Sequence, residues 1–259
     1  MKTTENNKAL VYDDNCPLCK AYTAAFVKGG LLKAKNRIAF SHVNIQQFHL
    51  EWKKARNEIP LIDLKTGEVK YGVDALTDIL QQKFPLIKSI MKIKWLNWFF
   101  RKLYKLVSYN RKIIVASVTV TRALDCAPDY SFFWRWVLII FCYTISNYFI
   151  IKSTSLLCDY KIFTLPGLVI FWMIISVASR MVASKKTATE IHAHASITAT
   201  ITCFFLFIGA CCVKFFNLPF WLASCLFLFI VMVTVKQIKR RCLFIRDYNN
   251  TETQTTSVL

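Results

Sequence analysis

Four apolar runs, at residues 132–151, 162–183, 195–216 and 218–235, constrain this chain more than any other feature. Each is close to the ~20 residues that carry a helix across the hydrocarbon core of a bilayer. Within that core only structures that satisfy their own backbone polar groups are stable. The second half is therefore expected to be an all-α transmembrane bundle of about four helices. Asn217 and Pro219 separate the last two runs and predict a tight hairpin. Trp134, Trp136, Tyr148, Tyr160 and Trp221 fall near the ends of the runs, where amphipathic rings favour the interface.

Charge sets the expected orientation. Lys and Arg number 34 against 15 Asp and Glu, a formal net charge of +19. The basic residues crowd the N-terminal side, the second connection (Arg180, Lys185, Lys186) and the C-terminal segment (Lys236, Lys239, Arg240, Arg241, Arg246). The first connection has only Lys152 and Lys161, and the third has Lys214 nearby. The positive-inside rule then places both termini in the cytoplasm, and the expected setting is a bacterial inner membrane. Basic residues beside apolar runs, without a nucleic-acid motif, point to lipid as a partner and away from nucleic acid. Glu190, His192 and His194 lie in the second connection. Ligands two apart do not share a helix face, so these are expected to be loop or helix-end residues and no metal is assigned to them.

Ahead of the bundle, Trp95, Trp98, Phe99, Leu103 and Leu106 recur at three- and four-residue spacing, with Lys94, Arg101, Lys102 and Lys105 interleaved. That is a basic amphipathic helix. It is expected to lie on an anionic membrane surface or to pack on the preceding domain, and the two are compatible. The resulting divisions are 1–84, a compact α/β domain; 85–125, the bridge; 126–236, the membrane domain; and 237–259, a polar, disordered tail.

In the first division, strands are predicted at 9–12, 38–43, 61–64 and 69–71, the last two joined by a Lys65-Thr66-Gly67-Glu68 turn. Helices are predicted at 17–32, 45–57 and 73–82. The order βαβαββα is that of a minimal thioredoxin-like fold. Cys16-Pro17-Leu18-Cys19 falls after the first strand and opens the first helix, the setting in which C-x-x-C signals redox chemistry. The polar start MKTTENNKALVYDD gives no signal peptide, so the pair is expected in a reducing compartment, where it is more often catalytic than a staple. A zinc site would need a second cysteine pair, and the next cysteine is Cys126. No cofactor beyond the pair is expected.

A helix N-terminus stabilises a thiolate, so Cys16 is expected to attack and Cys19 to resolve the mixed disulfide. Asp13 and Asp14 should raise the Cys16 pKa, with Lys20 offsetting part of this. Pro60 stands where thioredoxin-like folds place a cis-proline. A cis bond there would leave the Ile59 backbone free to hold an extended substrate.

Tyr12-Asp13-Asp14-Asn15-Cys16-Pro17-Leu18-Cys19 resembles the signature of the DCC family of thiol–disulfide oxidoreductase-like proteins, Tyr-Asp-Gly-x-Cys-x-x-Cys, with Asp14 in place of the glycine. Gly67, Gly72-Val73-Asp74-Ala75 and Tyr104 through Asn110-Arg111 extend the resemblance over roughly residues 8–115. It implies thiol–disulfide exchange, here on the cytoplasmic face of a membrane, with a disulfide-containing protein or small thiol as partner. Two alternatives stay open. One is an electron relay across the membrane through Cys142, Cys158, Cys203, Cys211, Cys212 and Cys225. The other is a non-enzymatic docking protein with a degenerate module.

Overall fold

Strict alternation makes β1 (Lys8–Tyr12) the centre of a two-sided sheet: Ala9 and Val11 enter one apolar cluster, and Leu10 enters the other. The computed structural model describes residues 7–43, 50–116, 128–157, 185–216 and 219–256. β2 (Arg37–Ala39) pairs parallel to β1, β3 (Pro60–Asp63) pairs antiparallel to its other edge, and β4 (Val69–Tyr71) closes the order β2-β1-β3-β4. The parallel pair needs a crossover, supplied by α1 (Pro17–Lys28). α2 (Trp52–Asn57) packs on the Ala9 face through Trp52 and Ala55, while α1 and α3 (Gly72–Leu80) cover the Leu10 face. This is the expected βαβαββα arrangement, consistent with a thioredoxin-like fold.

Boundaries differ from the sequence reading in places. α1 stops at Lys28 because Gly29 caps it, bonding back to Ala25 O. The second strand ends at Ala39, where Phe40–His42 turn into a short 3-10 segment. Of the helix predicted at 45–57, residues 44–49 lie outside the described residues.

The bridge contains α4 (Leu86–Lys92) and α5 (Lys94–Val115), which belong to the same compact unit as the sheet, Met1–Ser131. Leu106, Ser108, Asn110, Arg111 and Ile113 are buried, whereas Trp95 is 68% and Trp98 62% exposed. One helix thus packs on the α/β core at its C-terminal half and shows aromatic rings at its N-terminal half.

The second unit, Phe132–Leu259, contains α6 (Phe132–Leu157), α7 (Lys185–Phe216) and α8 (Phe220–Thr256). Three stretches, Phe132–Leu156, Lys186–Phe216 and Leu222–Leu243, are long and apolar enough to cross a membrane. The run at 162–183 and Cys158 lie outside the described residues, so three spans stand where about four are expected. α6 and α7 run parallel: Arg135 Nη2 donates to Glu190 Oε1 at 2.8 Å, and Ser146 lies 3.1 Å from Thr200. α7 and α8 form an antiparallel hairpin through Arg241 and His194 (3.1 Å) and Thr202 and Thr234 (3.0 Å). A Cβ on Gly209 would lie 3.3 Å from Ile230, so this glycine sets how closely the two helices approach.

Two expectations are corrected here. Glu190, His192 and His194 are buried within α7, not in a loop. The segment expected to be a disordered tail continues α8 to Thr256. A helix already nucleated within the span extends with one new bond per residue fixed.

Candidate active site

The Cys16 backbone is extended (φ −97°, ψ 114°) and forms the N-cap of α1, with Pro17 at the first helical position. Proline is preset for that place and forfeits no intrahelical bond there. The first helical bond runs from Lys20 N to Cys16 O, 3.0 Å. One turn on, Cys19 donates its S–H to the Cys16 sulfur. Asp13 folds back over the turn: its Oδ1 accepts from Asn15 N at 2.9 Å and its Oδ2 from Arg111 Nη2 at 3.2 Å. The Cys16 and Cys19 sulfurs and an Asp13 oxygen all lie within 4.8 Å of one another.

These contacts pull the two thiols apart in acidity. The Cys19 hydrogen bond lowers Cys16 most; burial opposes it, the Cys19 backbone N–H and the Arg111 guanidinium add to the lowering, and Asp13 works against it. The result is a Cys16 pKa of about 6. Cys19, which donates its S–H in that bond and is itself buried, is pushed far up. Of the groups expected to tune Cys16, Asp13 raises its pKa. Asp14, however, is held by Ser41, whose Oγ and N donate to it at 2.9 and 3.4 Å, and Lys20 is exposed. The cation that weighs on Cys16 is Arg111.

The depressed pKa has a direct readout. The thiolate is present above about pH 6 and lost below it. Iodoacetamide labelling of Cys16, followed by peptide mass spectrometry, should titrate with a midpoint near that value. A midpoint of about 8.5, the free-cysteine value, would mean that the Cys19 bond is not made.

Pro60 and Ile59 depart from expectation. No cis peptide occurs among the described residues, so the Ile59–Pro60 bond is trans. Pro60 starts β3 opposite Tyr71. The Ile59 backbone is not free either: its N–H donates to Tyr104 Oη at 2.8 Å, and its C=O accepts from Gly72 N at 3.0 Å. Gly72 has φ +59°, and a Cβ there would lie 2.6 Å from Glu58 Oε2 and 3.2 Å from the Tyr104 ring. Only glycine combines that backbone with that contact. The two residues still line the site, as walls of a cavity of about 540 Å³ that also touches Cys19, Asp13 and Arg111.

Arg111, Ser108 and Tyr104 were missed as site residues, although Tyr104 and Arg111 belong to the resembling stretch. Their spacing, i, i+4 and i+7, puts three polar groups on one face of α5 and was the available signal. Arg111 also donates to Arg56 O (3.0 Å) and lies 3.4 Å from Ser108 Oγ, which in turn bonds Asn57 O. The cysteines are not presented at the surface: Cys16 is 1% and Cys19 6% exposed. Asp13, Cys16 and Cys19 are the one group among the described residues with three donors close enough for a metal. The Arg111 guanidinium already pairs the carboxylate, so a cation there would meet like charge.

No curated protein and no solved structure matches the chain. The family described as DCC1-like thiol-disulfide oxidoreductase matches residues 10–116, from β1 to the end of α5, and so takes in Tyr104 and Arg111 as well as the cysteine pair. Over that span the chain is similar to the DCC1-like thiol-disulfide oxidoreductases, the family its Tyr12–Cys19 segment resembles.

Proposed function

We propose that this protein reduces disulfides by dithiol–disulfide exchange, with Cys16 as nucleophile and Cys19 as resolving thiol, while its apolar helices hold it in a membrane. The observation that carries this reading is the placement of Cys16 and Cys19 in the opening turn of α1 with their sulfurs within 4.8 Å of one another, the Cys16 pKa being lowered and the Cys19 pKa raised by the contact between them. That difference in acidity is what exchange requires.

The Cys16 thiolate attacks one sulfur of the substrate disulfide. A Cys16–substrate S–S bond forms, the substrate S–S bond breaks, and the departing thiolate takes up the Cys19 proton. The Cys19 sulfur then attacks Cys16, closing the Cys16–Cys19 disulfide and expelling the second substrate thiolate, which is protonated by solvent. Two electrons have moved from the pair to the substrate. A reducing thiol must restore the dithiol for the next turnover.

A Cys19→Ser variant removes the second step. It should accumulate mixed disulfides on Cys16, identified by mass spectrometry without reductant. No adduct on Cys16, under conditions where iodoacetamide still labels it, would overturn the proposal and favour the docking reading.

The membrane part of the reading is finer than the helices alone require. Two parallel spans in one bilayer, α6 and α7, need an odd number of crossings between them. We therefore keep four spans, with both termini on the Lys- and Arg-rich, cytoplasmic side.

A further inference from the structure

We propose that the cavity beside the cysteine pair binds the aliphatic part of an uncharged, lipophilic disulfide, so that the substrate class is an apolar small molecule and not a peptide or a charged thiol. This rests on the exchange reading above and names what that site accepts.

Three observations converge. First, the cavity, about 540 Å³, falls within the ordinary range for small-molecule sites. Its walls include Phe26 of α1, Leu76 and Leu80 of α3, Met91 of α4 and Leu103 of α5. The charged groups in the wall, Asp13 and Arg111, are paired with each other next to Cys19. A charged substrate would find few polar partners; a hydrocarbon chain would find walls of its own kind.

Second, the other route to the pair is closed. Cys16 and Cys19 are almost wholly covered, and Cys19 is the cysteine that meets the cavity, with the Cys16 sulfur within 4.8 Å of it. A peptide binding as an added strand at Ile59 would need backbone groups that already bond Tyr104 and Gly72.

Third, Ile90, Phe100, Leu103 and Val107 both line the cavity and are exposed. The mouth therefore opens on α4 and α5, which also expose Leu86, Trp95, Trp98 and Phe99 together with Lys88, Lys92, Lys94 and Lys102. A surface of that composition suits the boundary of an anionic bilayer, where lipophilic molecules are concentrated.

The test uses the full chain, reduced, in detergent micelles, in single turnover against symmetrical dialkyl disulfides from ethyl to octyl and against glutathione disulfide. Chain burial should raise the second-order rate about fourfold per methylene until the cavity is filled, with glutathione disulfide slowest. Dihexyl sulfide, which has no S–S bond, should slow iodoacetamide labelling of the Cys16 thiolate, whose sulfur lies within 4.8 Å of the Cys19 sulfur that meets the cavity. Leu103→Trp and Ile90→Trp, which narrow the mouth, should each lower the hexyl-to-ethyl rate ratio at least tenfold. A ratio unchanged in both variants would assign the chain-length effect to micelle partitioning and overturn the proposal. So would equal rates at every length without protection by dihexyl sulfide. Protection without exchange at any length would leave the cavity standing and remove the redox reading.

Discussion

An Arg111→Met variant is expected to lose about 3–5 kcal/mol of stability, because it leaves the buried Asp13 carboxylate without its cation. Both side chains are under a tenth exposed, so water cannot replace the lost partner. The same change acts on the chemistry with a defined sign. Arg111 lowers the Cys16 pKa and Asp13 raises it, so removing Arg111 alone moves the thiolate midpoint up from about 6. Exchange should be lost first at the acid end of the pH profile and recover above the new midpoint. The rise stops short of a free thiol, because the largest contribution, the Cys19 hydrogen bond, remains. Adding Asp13→Asn removes the opposing charge as well. The double variant should regain much of the stability and return the midpoint toward its original value, since an absent buried pair is often tolerated where a broken one is not. Denaturant unfolding and pH-dependent Cys16 labelling read the two effects separately. Equal stability for Arg111→Met and the native chain would show that the pair is not buried as described.

That pair also marks the limit of what the sequence disclosed. Local patterns sufficed for the sheet: alternation in β1, the Lys65-Thr66-Gly67-Glu68 turn and proline after Cys16 each specify their own neighbourhood. The position of the cysteine pair was legible for the same reason, since α1 begins one residue after Cys16. Arg111 lies 98 positions from Asp13, and its pairing depends on how α5 docks, which no local pattern encodes. The spacing in α5 allows both a membrane-surface helix and a helix packed on the preceding domain, and does not name its partners. Its basic residues divide by position: Lys94 and Lys102 face outward, while Arg111 is buried in the core. The acidity assigned to Asp14 failed through another long-range contact, with Ser41 across the crossover. The cis-proline failed because β3 pairs on both edges around an extended, trans Ile59–Pro60 unit.

In the second unit, Glu190→Leu is expected to be far more damaging than any single loss along the hydroxyl contacts. Packing and polar contacts hold membrane helices together, because lipid removes the hydrophobic drive between them. Hydroxyl pairs such as Thr202 and Thr234 are worth about 0.6 kcal/mol each in such settings, and Thr202→Val should cost about that. Glu190 is different in kind. It accepts from Arg135 at 2.8 Å, and both side chains are under a tenth exposed. Truncating it takes the carboxylate away from a buried guanidinium, a loss of about 3–5 kcal/mol. Glu190→Gln keeps an acceptor near Arg135 but removes the charge, and should fall between the two. Pairing Glu190→Leu with Arg135→Leu removes that guanidinium as well and should restore most of the loss. Unfolding of the micelle-bound protein by a denaturing detergent, scored by helix content, orders the variants. The expected series, from least to most damaged, is Thr202→Val, Glu190→Gln, Glu190→Leu. If Glu190→Leu ranked with Thr202→Val, the charge pair would be solvated, and the parallel packing of α6 on α7 would have to rest on apolar contacts such as Phe149 against Phe204 and Phe207.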